Sequence, residues 1–235
     1  MANFPGFDTG SYPGDNVMAK WFGNPYVFTG FYLEAPCHSK PKFKPWMGHS
    51  QFLKQIGWGL VVVYVGRQAT GCGSTKLTRE QGLADATDAI AQATAEGFAN
   101  GVRIFLDVEL MDPISAKMLR YVRGWLAGIL QNGRHKAGIY AHFRNAAELK
   151  QEADEEFADQ GVAGSPAFWI VRVPGGGKFN VLTSSPSDLK DFPLRPISFA
   201  SVWQGKIDIA SETHNGVIFG PVDQNVADSR NPSGV

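Results

Sequence analysis

Residues 102–109 read Val102-Arg103-Ile104-Phe105-Leu106-Asp107-Val108-Glu109, and their alternation decides the fold. Successive side chains of a strand point to opposite faces, so Val102, Ile104, Leu106 and Val108 share one face. Arg103, Phe105, Asp107 and Glu109 share the other. The wholly apolar face is expected to pack on helices and the mixed face to line a barrel interior. The two acids then arrive at the carboxyl end of the strand, where the chemistry of (β/α) barrels sits.

Outward from this segment the chain alternates short apolar runs with amphipathic stretches, the pattern of an α/β domain. Strands are expected at Phe4–Asp8, Val27–Leu33, Leu60–Val65, Lys136–Ala141, Ala167–Val173, Ser198–Gln204 and Gly216–Asp223. Thr78 and Gln81 form a capping box ahead of a helix whose buried face is Leu83, Ala86, Ile90, Ala93 and Gly97. Asp112-Pro113 reads as an N-cap with a proline at the first helical position, and Met118, Tyr121, Trp125 and Ile129 mark the next apolar stripe. Asn145–Asp159 is an acidic helix. With Val102–Glu109 these make eight strands, with no linker and no internal repeat. A single (β/α)8 barrel of the TIM type over residues 1–235 accounts for them, with a doubly wound open sheet as the alternative. The tail from about residue 226 is expected to fray.

Composition narrows the function. The chain has 235 residues, with 22 basic and 22 acidic side chains that cancel. That balance argues against a nucleic-acid or anionic-lipid partner. No apolar run approaches the roughly 20 residues of a membrane span. The N-terminus lacks a basic segment followed by an apolar one, so non-Sec delivery is expected for a protein acting outside the cytoplasm. Cys37 and Cys72 are two reduced thiols or one bridge. Cys37, His38 and His49 have no recognised metal-ligand spacing, so no metal and no cofactor is expected.

Polar residues gather at the expected strand ends: Asp8, Asp107, Glu109, Tyr140, His142, Trp203, Gln204, Asp223 and Asn225. Asp107 and Glu109 share a face with Cα atoms about 6.6 Å apart, two strand rises of about 3.3 Å. Two close carboxylates in a partly dry site cannot both ionise cheaply, so one pKa should rise. A protonated acid beside an ionised partner is what glycoside hydrolysis requires. The competing account is a buried salt bridge from the inward-facing Arg103. Arg67 and Arg172 follow strands and could hold a substrate carboxylate or make rim salt bridges. Gly175-Gly176-Gly177 lacks the following Lys-Ser/Thr of a phosphate cradle. Ser184, Ser185 and Ser201 lack a nucleophile elbow.

The ordered strings Gly6-Phe7-Asp8, Phe105-Leu106-Asp107-Val108-Glu109, Gly138-Ile139-Tyr140, Val202-Trp203-Gln204 and Pro221-Val222-Asp223-Gln224-Asn225 resemble the motif series of glycoside hydrolase family 25. More closely, with Gly82-x-x-Asp85-Ala86-x-x-Ala89, the chain resembles the glycoside-hydrolase-like group called domain of unknown function 1906. The resemblance implies a lysozyme-like N-acetylmuramidase barrel acting on peptidoglycan at the cell wall. It makes Glu109 the general acid. Asp107, with either Asp8 or Asp223, would stabilise positive charge at the anomeric carbon or orient the substrate N-acetyl group. Tyr140 would line the adjoining subsite and Trp203 would supply an aromatic platform, with Trp169, Gln204, Asn225 and Arg67 as further substrate contacts. The chain departs from family 25 at Thr9-Gly10-Ser11-Tyr12-Pro13 and in the sixth strand. A catalytically silent carbohydrate-binding module on the same barrel is the alternative. A barrel phosphodiesterase would need paired histidines that the five scattered ones do not supply.

Overall fold

A computed structural model describes residues 3–34, 36, 45–71, 73–172 and 194–235. Cys37, His38, Cys72, Gly175-Gly176-Gly177, Ser184 and Ser185 lie outside them. Eight strands close a barrel of the TIM type. They are β1 (Phe4–Asp8), β2 (Phe28–Leu33), β3 (Gly59–Tyr64), β4 (Arg103–Val108), β5 (Lys136–His142), β6 (Ala167–Val171), β7 (Ala200–Ile209) and β10 (Val222–Ala227). The first seven run parallel to their neighbours, but β10 runs antiparallel to both β7 and β1. A small hairpin, β8 (Glu212–His214) and β9 (Val217–Phe219), precedes it.

That reversal corrects the eighth strand expected at Gly216–Asp223. Its first half is an arm of the hairpin, and Asp223 lies near the start of the closing strand rather than at its end. Because β10 runs backwards, its beginning and the ends of the parallel strands meet at one mouth, with Asp223 opposite Asp8 in register.

The described α-helices are α1 (Asp15–Trp21), α2 (Ser50–Ile56), α3 (Arg79–Ala95), α4 (Ala116–Asn132) and α5 (Phe143–Asp159). Thr78 caps α3 as expected, its hydroxyl accepting from Gln81 N at 3.2 Å. The reciprocal half of the box is not made, since the Gln81 side chain donates to Asp85 instead. Helix α4 begins later than Asp112-Pro113 suggested. Its cap is Ser115, which accepts from Met118 N, while Asp112 pairs with Arg144 at the surface. Gly82 and Gly124 let α3 and α4 touch backbone to backbone. A Cβ at Gly82 would lie 2.2 Å from Tyr121 O, and one at Gly124 2.0 Å from Arg79 O.

Two apolar layers follow from the strand alternation. Phe28, Val61, Val63, Phe105, Trp169, Val202 and Ala227 fill the barrel. The larger layer, with Ile104, Leu106 and Val108 of β4, lies between barrel and helices. The hairpin is fastened by buried polar groups. Glu212 accepts from Tyr26 Oη and Gln224 Nε2, each at 2.7 Å, and lies 2.7 Å from His214 Nε2. The tail, expected to fray, is placed across the bottom of the barrel. Ser233 N donates to Leu60 O, Ser233 Oγ accepts from Val62 N, and Arg103 N donates to Ser233 O. A Cβ at Gly59 would lie 1.8 Å from Arg230 O, so β3 keeps a glycine where the tail crosses.

Candidate active site

At the mouth, Asp8, Asp107, Glu109 and Asp223 surround one cavity of about 100 Å³, completed by Tyr32, Val63, Tyr140 and Trp169. Each arrives by strand alternation. Phe105 packs in the barrel and Asp107 stands one layer above it on the same face, with Glu109 just past the strand end. Gly30 leaves room on β2, where a Cβ would lie 2.7 Å from Asp8 Cβ.

The four acids have unequal partners. Asp8 is buried and accepts from Tyr32 Oη (2.6 Å), Asn225 Nδ2 (2.6 Å) and Gln204 Nε2 (3.0 Å). Burial pushes its pKa up to about 6, with those three hydrogen bonds pulling against it. Asp223 accepts from Gln204 Nε2 at 2.9 Å and Asp208 N at 2.7 Å. Burial, and then the charge of Asp8, push its pKa up to about 8. Asp107 is the least supported: its Oδ1 is sealed from solvent with no hydrogen-bond partner among the described residues. Burial, then Glu109 and Asp8, hold its carboxyl well above the ordinary range. Glu109 has one side exposed, yet the protein packed around its carboxyl still raises its pKa, burial outweighing the backbone hydrogen bond from Leu110. Among the described residues no salt bridge reaches any of the four. Arg103 lies at the opposite end of β4 and donates to Pro232 O, so it neutralises neither Asp107 nor Glu109.

Gln204 links the cluster, accepting from Tyr140 Oη at 2.9 Å while its amide donates to both Asp8 and Asp223. Trp169 Nε1 donates to Asn225 Oδ1 at 2.9 Å. Gln204, Tyr140, Trp169 and Asn225 thus lie at the mouth with the acids. Trp203, Arg67, Arg172 and His142 are engaged elsewhere. Trp203 is buried in the outer layer under the Arg195 guanidinium, 4.6 Å from its ring centre, and offers no platform to the cavity. Neighbours on a strand face opposite ways, so with Val202 and Gln204 turned inward Trp203 must turn out. Arg67 is turned to the helices, where Nε and Nη2 donate to Asp85 at 2.8 and 3.1 Å. Arg172 lies over the Phe143 ring, and His142 caps α5 by accepting from Arg144 N.

Sequence reasoning missed Tyr32 and Gln68. Tyr32 was legible, since it shares the inward face of β2 with Phe28 and Gly30. Gln68 was not, because it acts from a loop. Its Nε2 donates to Asp107 O at 3.0 Å and its Oε1 accepts from Glu109 N at 3.1 Å, so one amide grips the backbone that carries both acids. The buried Asp85 holds this loop in place through Arg67, and Tyr121 bonds both Asp85 and Arg67 N.

A model of the Rv2525c-like, glycoside hydrolase-like domain family matches residues 19–181, more than half of the chain. The chain belongs to that family. The match includes Asp107, Glu109, Tyr140 and Trp169, and Asp8 and Asp223 lie on strands outside it. No curated protein sequence matches. Solved structures share the fold of this glycoside hydrolase-like domain. One is GHIP, a glycosyl hydrolase 25 of Streptococcus pneumoniae, 15% identical, with a TM-score of 0.60 over 98% of this chain and 90% of that one. Another is the Tat-secreted protein Rv2525c of Mycobacterium tuberculosis, 17% identical, with a TM-score of 0.57 over 95% and 93%. A third is the Streptococcus pneumoniae autolysin LytC in complex with a synthetic peptidoglycan ligand, 13% identical, with a TM-score of 0.58 over 95% of this chain and 46% of that one.

Proposed function

We propose that the protein is a lysozyme-like glycoside hydrolase that cuts the glycan strands of peptidoglycan at the cell wall, with Glu109 as general acid. The observation that carries this reading is the cluster of four carboxyl groups around one small cavity at the barrel mouth, which no salt bridge among the described residues neutralises. Glycosidic cleavage needs a proton donor near the leaving oxygen and negative charge facing the developing oxocarbenium ion. Glu109 has the raised pKa and the solvent-facing edge of a donor that must be reprotonated each turnover. Asp8, held by three donors and titrating near 6, is the ionised partner at neutral pH. Asp223, titrating near 8, keeps its proton there, and the pKa of Asp107 is raised well above the ordinary range. Both therefore serve to position substrate or to share charge with Asp8, rather than as permanent anions. Tyr140, Trp169 and Asn225 shape the cavity around the reacting ring. The autolysin with its bound peptidoglycan ligand supports that substrate class.

The test is release of reducing ends from purified peptidoglycan, with fragments identified by mass, for wild type, Glu109→Gln and Asp107→Asn. Muramidase-type fragments that disappear in Glu109→Gln support the reading. Binding without release from any glycan offered would move it to the silent module.

A further inference from the structure

The bottom of the barrel carries a charge pattern that the chemistry at the mouth does not use. Arg103 opens β4 and Lys136 opens β5, and the two are register partners. Partners on adjacent strands point to the same face, so two cations stand side by side, an arrangement that destabilises the pair until an anion joins it. Among the described residues no salt bridge reaches either one. Arg103 Nη1 donates to Pro232 O at 2.9 Å, but Nε is sealed from solvent with no partner among the described residues, and Nη2 has none there either. Burial, with no acid set against it, pulls the Arg103 pKa down.

Both cations line a pocket of about 380 Å³ under the crossing tail, within the roughly 300–1,000 Å³ typical of small-ligand sites. Asn100, Ser229 and Ser233 share the lining, and no carboxylate side chain does. These neutral groups are left as donors. Asn100 Oδ1 accepts from Arg134 Nε at 3.2 Å, which leaves its Nδ2 to donate. Ser229 Oγ accepts from Asn231 N and Ser233 Oγ from Val62 N, which leaves both hydroxyl hydrogens. Asp228, just before Ser229, is already paired with Arg195, and Val235 O accepts from Asn231 Nδ2. We infer that this pocket binds a phosphate dianion, free or carried as a monoester on a small polar molecule. Two cations without an acid match two negative charges, and a guanidinium beside an ammonium with neutral donors is a phosphate-binding set. A neutral sugar leaves both charges unmatched, and a monocarboxylate matches one. Arg103 stands four strand rises of about 3.3 Å below Asp107, so this site is separate from the mouth and does not depend on what the mouth cleaves. Its occupant fastens the tail to β4 and β5.

The experiment titrates the full chain with inorganic phosphate, glucose 6-phosphate and glucose at about pH 8, where a phosphate monoester is a dianion. Sodium chloride holds the ionic strength constant, so general screening is the same throughout. Calorimetry reads affinity, and backbone amide shifts report the place. The expected result is saturable binding of one phosphate per chain with shifts at Gly101, Lys136 and Gly234, weakened about tenfold or more in Lys136→Gln. Lys136 is exposed and its side chain bonds no described residue, so that variant keeps its fold even if the more buried Arg103→Gln does not. Equal affinity for the two phosphates identifies the free ion as the ligand, and tighter binding of glucose 6-phosphate identifies a carried phosphoryl group. No saturable binding of either, shifts confined to the mouth, an unchanged Kd in Lys136→Gln, or equal binding of glucose would each overturn the inference.

Discussion

Two sets of buried acids in this protein are treated in opposite ways. On the helical shell, Glu156 of α5 is fully buried and receives Arg79 at 2.8 and 2.6 Å and Arg123 at 3.0 Å. Burial alone would push its pKa up, but the bonds from Arg79, Gln160 and Arg123 outweigh it and hold the carboxylate below its ordinary range. At the barrel mouth the donors are neutral: a tyrosine, two side-chain amides and backbone N–H groups. There burial wins, and all four pKa values rise. Arginine pairing makes an acid a permanent anion that ties α3, α4 and α5 together. Withholding it leaves acids that hold their protons more tightly than usual, Asp8 up to about 6 and Asp223 up to about 8, and such shifts cluster at functional sites.

The contrast is sharpest in activity. Glu109→Gln should lower turnover on peptidoglycan by about 10²–10⁴, the range of a lost general acid, with little change in melting temperature. A turnover loss that merely tracks unfolding would erase the distinction between the two sets.

The pH dependence of stability comes next. Asp223 has a folded-state pKa of about 8 against an ordinary 3.8, so the folded state binds more protons between those values. Its share of stability is therefore lost as pH rises through that window. Asp223→Asn should flatten the fall in unfolding free energy between pH 5 and 9, by on the order of 3 kcal/mol at the alkaline end. The sign reverses for Glu156, whose lowered pKa contributes stability that is lost as pH falls through it.

On the shell, Glu156→Gln removes the charge that Arg79 and Arg123 both face, although Arg123 keeps Glu152, Glu155 and Asp159. It should cost about 2 kcal/mol in denaturant unfolding, less than the roughly 3–5 of a fully buried pair because Arg79 keeps 38% of its side chain exposed. Its kcat should stay near wild type. The smallest effect belongs to the loop joining the two regions. Gln68→Ala should lower kcat about tenfold, some 1.4 kcal/mol, through misplacement of Glu109, with KM and melting temperature little moved. Gln68→Glu should not restore it, because a carboxylate cannot donate to Asp107 O. Rescue by Gln68→Glu would show that the grip on the backbone is irrelevant.

Much of this was legible in residues 102–109 alone. Their alternation places Asp107 and Glu109 together, because a strand of a closed barrel has only two faces and one was wholly apolar. Asp8, Tyr140, Gln204 and Asn225 were legible as polar residues at the expected strand ends. For Trp203 parity outranks rim position: it faces opposite to its neighbours Val202 and Gln204, and the same alternation turns Tyr32 inward. Asp223 reaches the mouth from the start of its strand and not from the end expected of it. A period-two pattern does not encode strand direction, so nothing local tells a parallel closing strand from an antiparallel one. Gln68 and the tail depend on contacts between segments far apart in the chain, which no periodicity reports. Asp112-Pro113 carried good capping chemistry, but Ser115 competes three residues on and wins.

The antiparallel closing strand has a consequence for how this site fails. Asp8 lies on the first strand, and two of its three donors, Gln204 and Asn225, are 196 and 217 residues further along the chain. No contiguous fragment short of nearly the whole polypeptide can assemble the cavity. Any opening that lets β10 leave the β1 edge dissolves it, even with the helical shell intact. The carboxylate cavity is therefore complete only when the two ends of the chain have met.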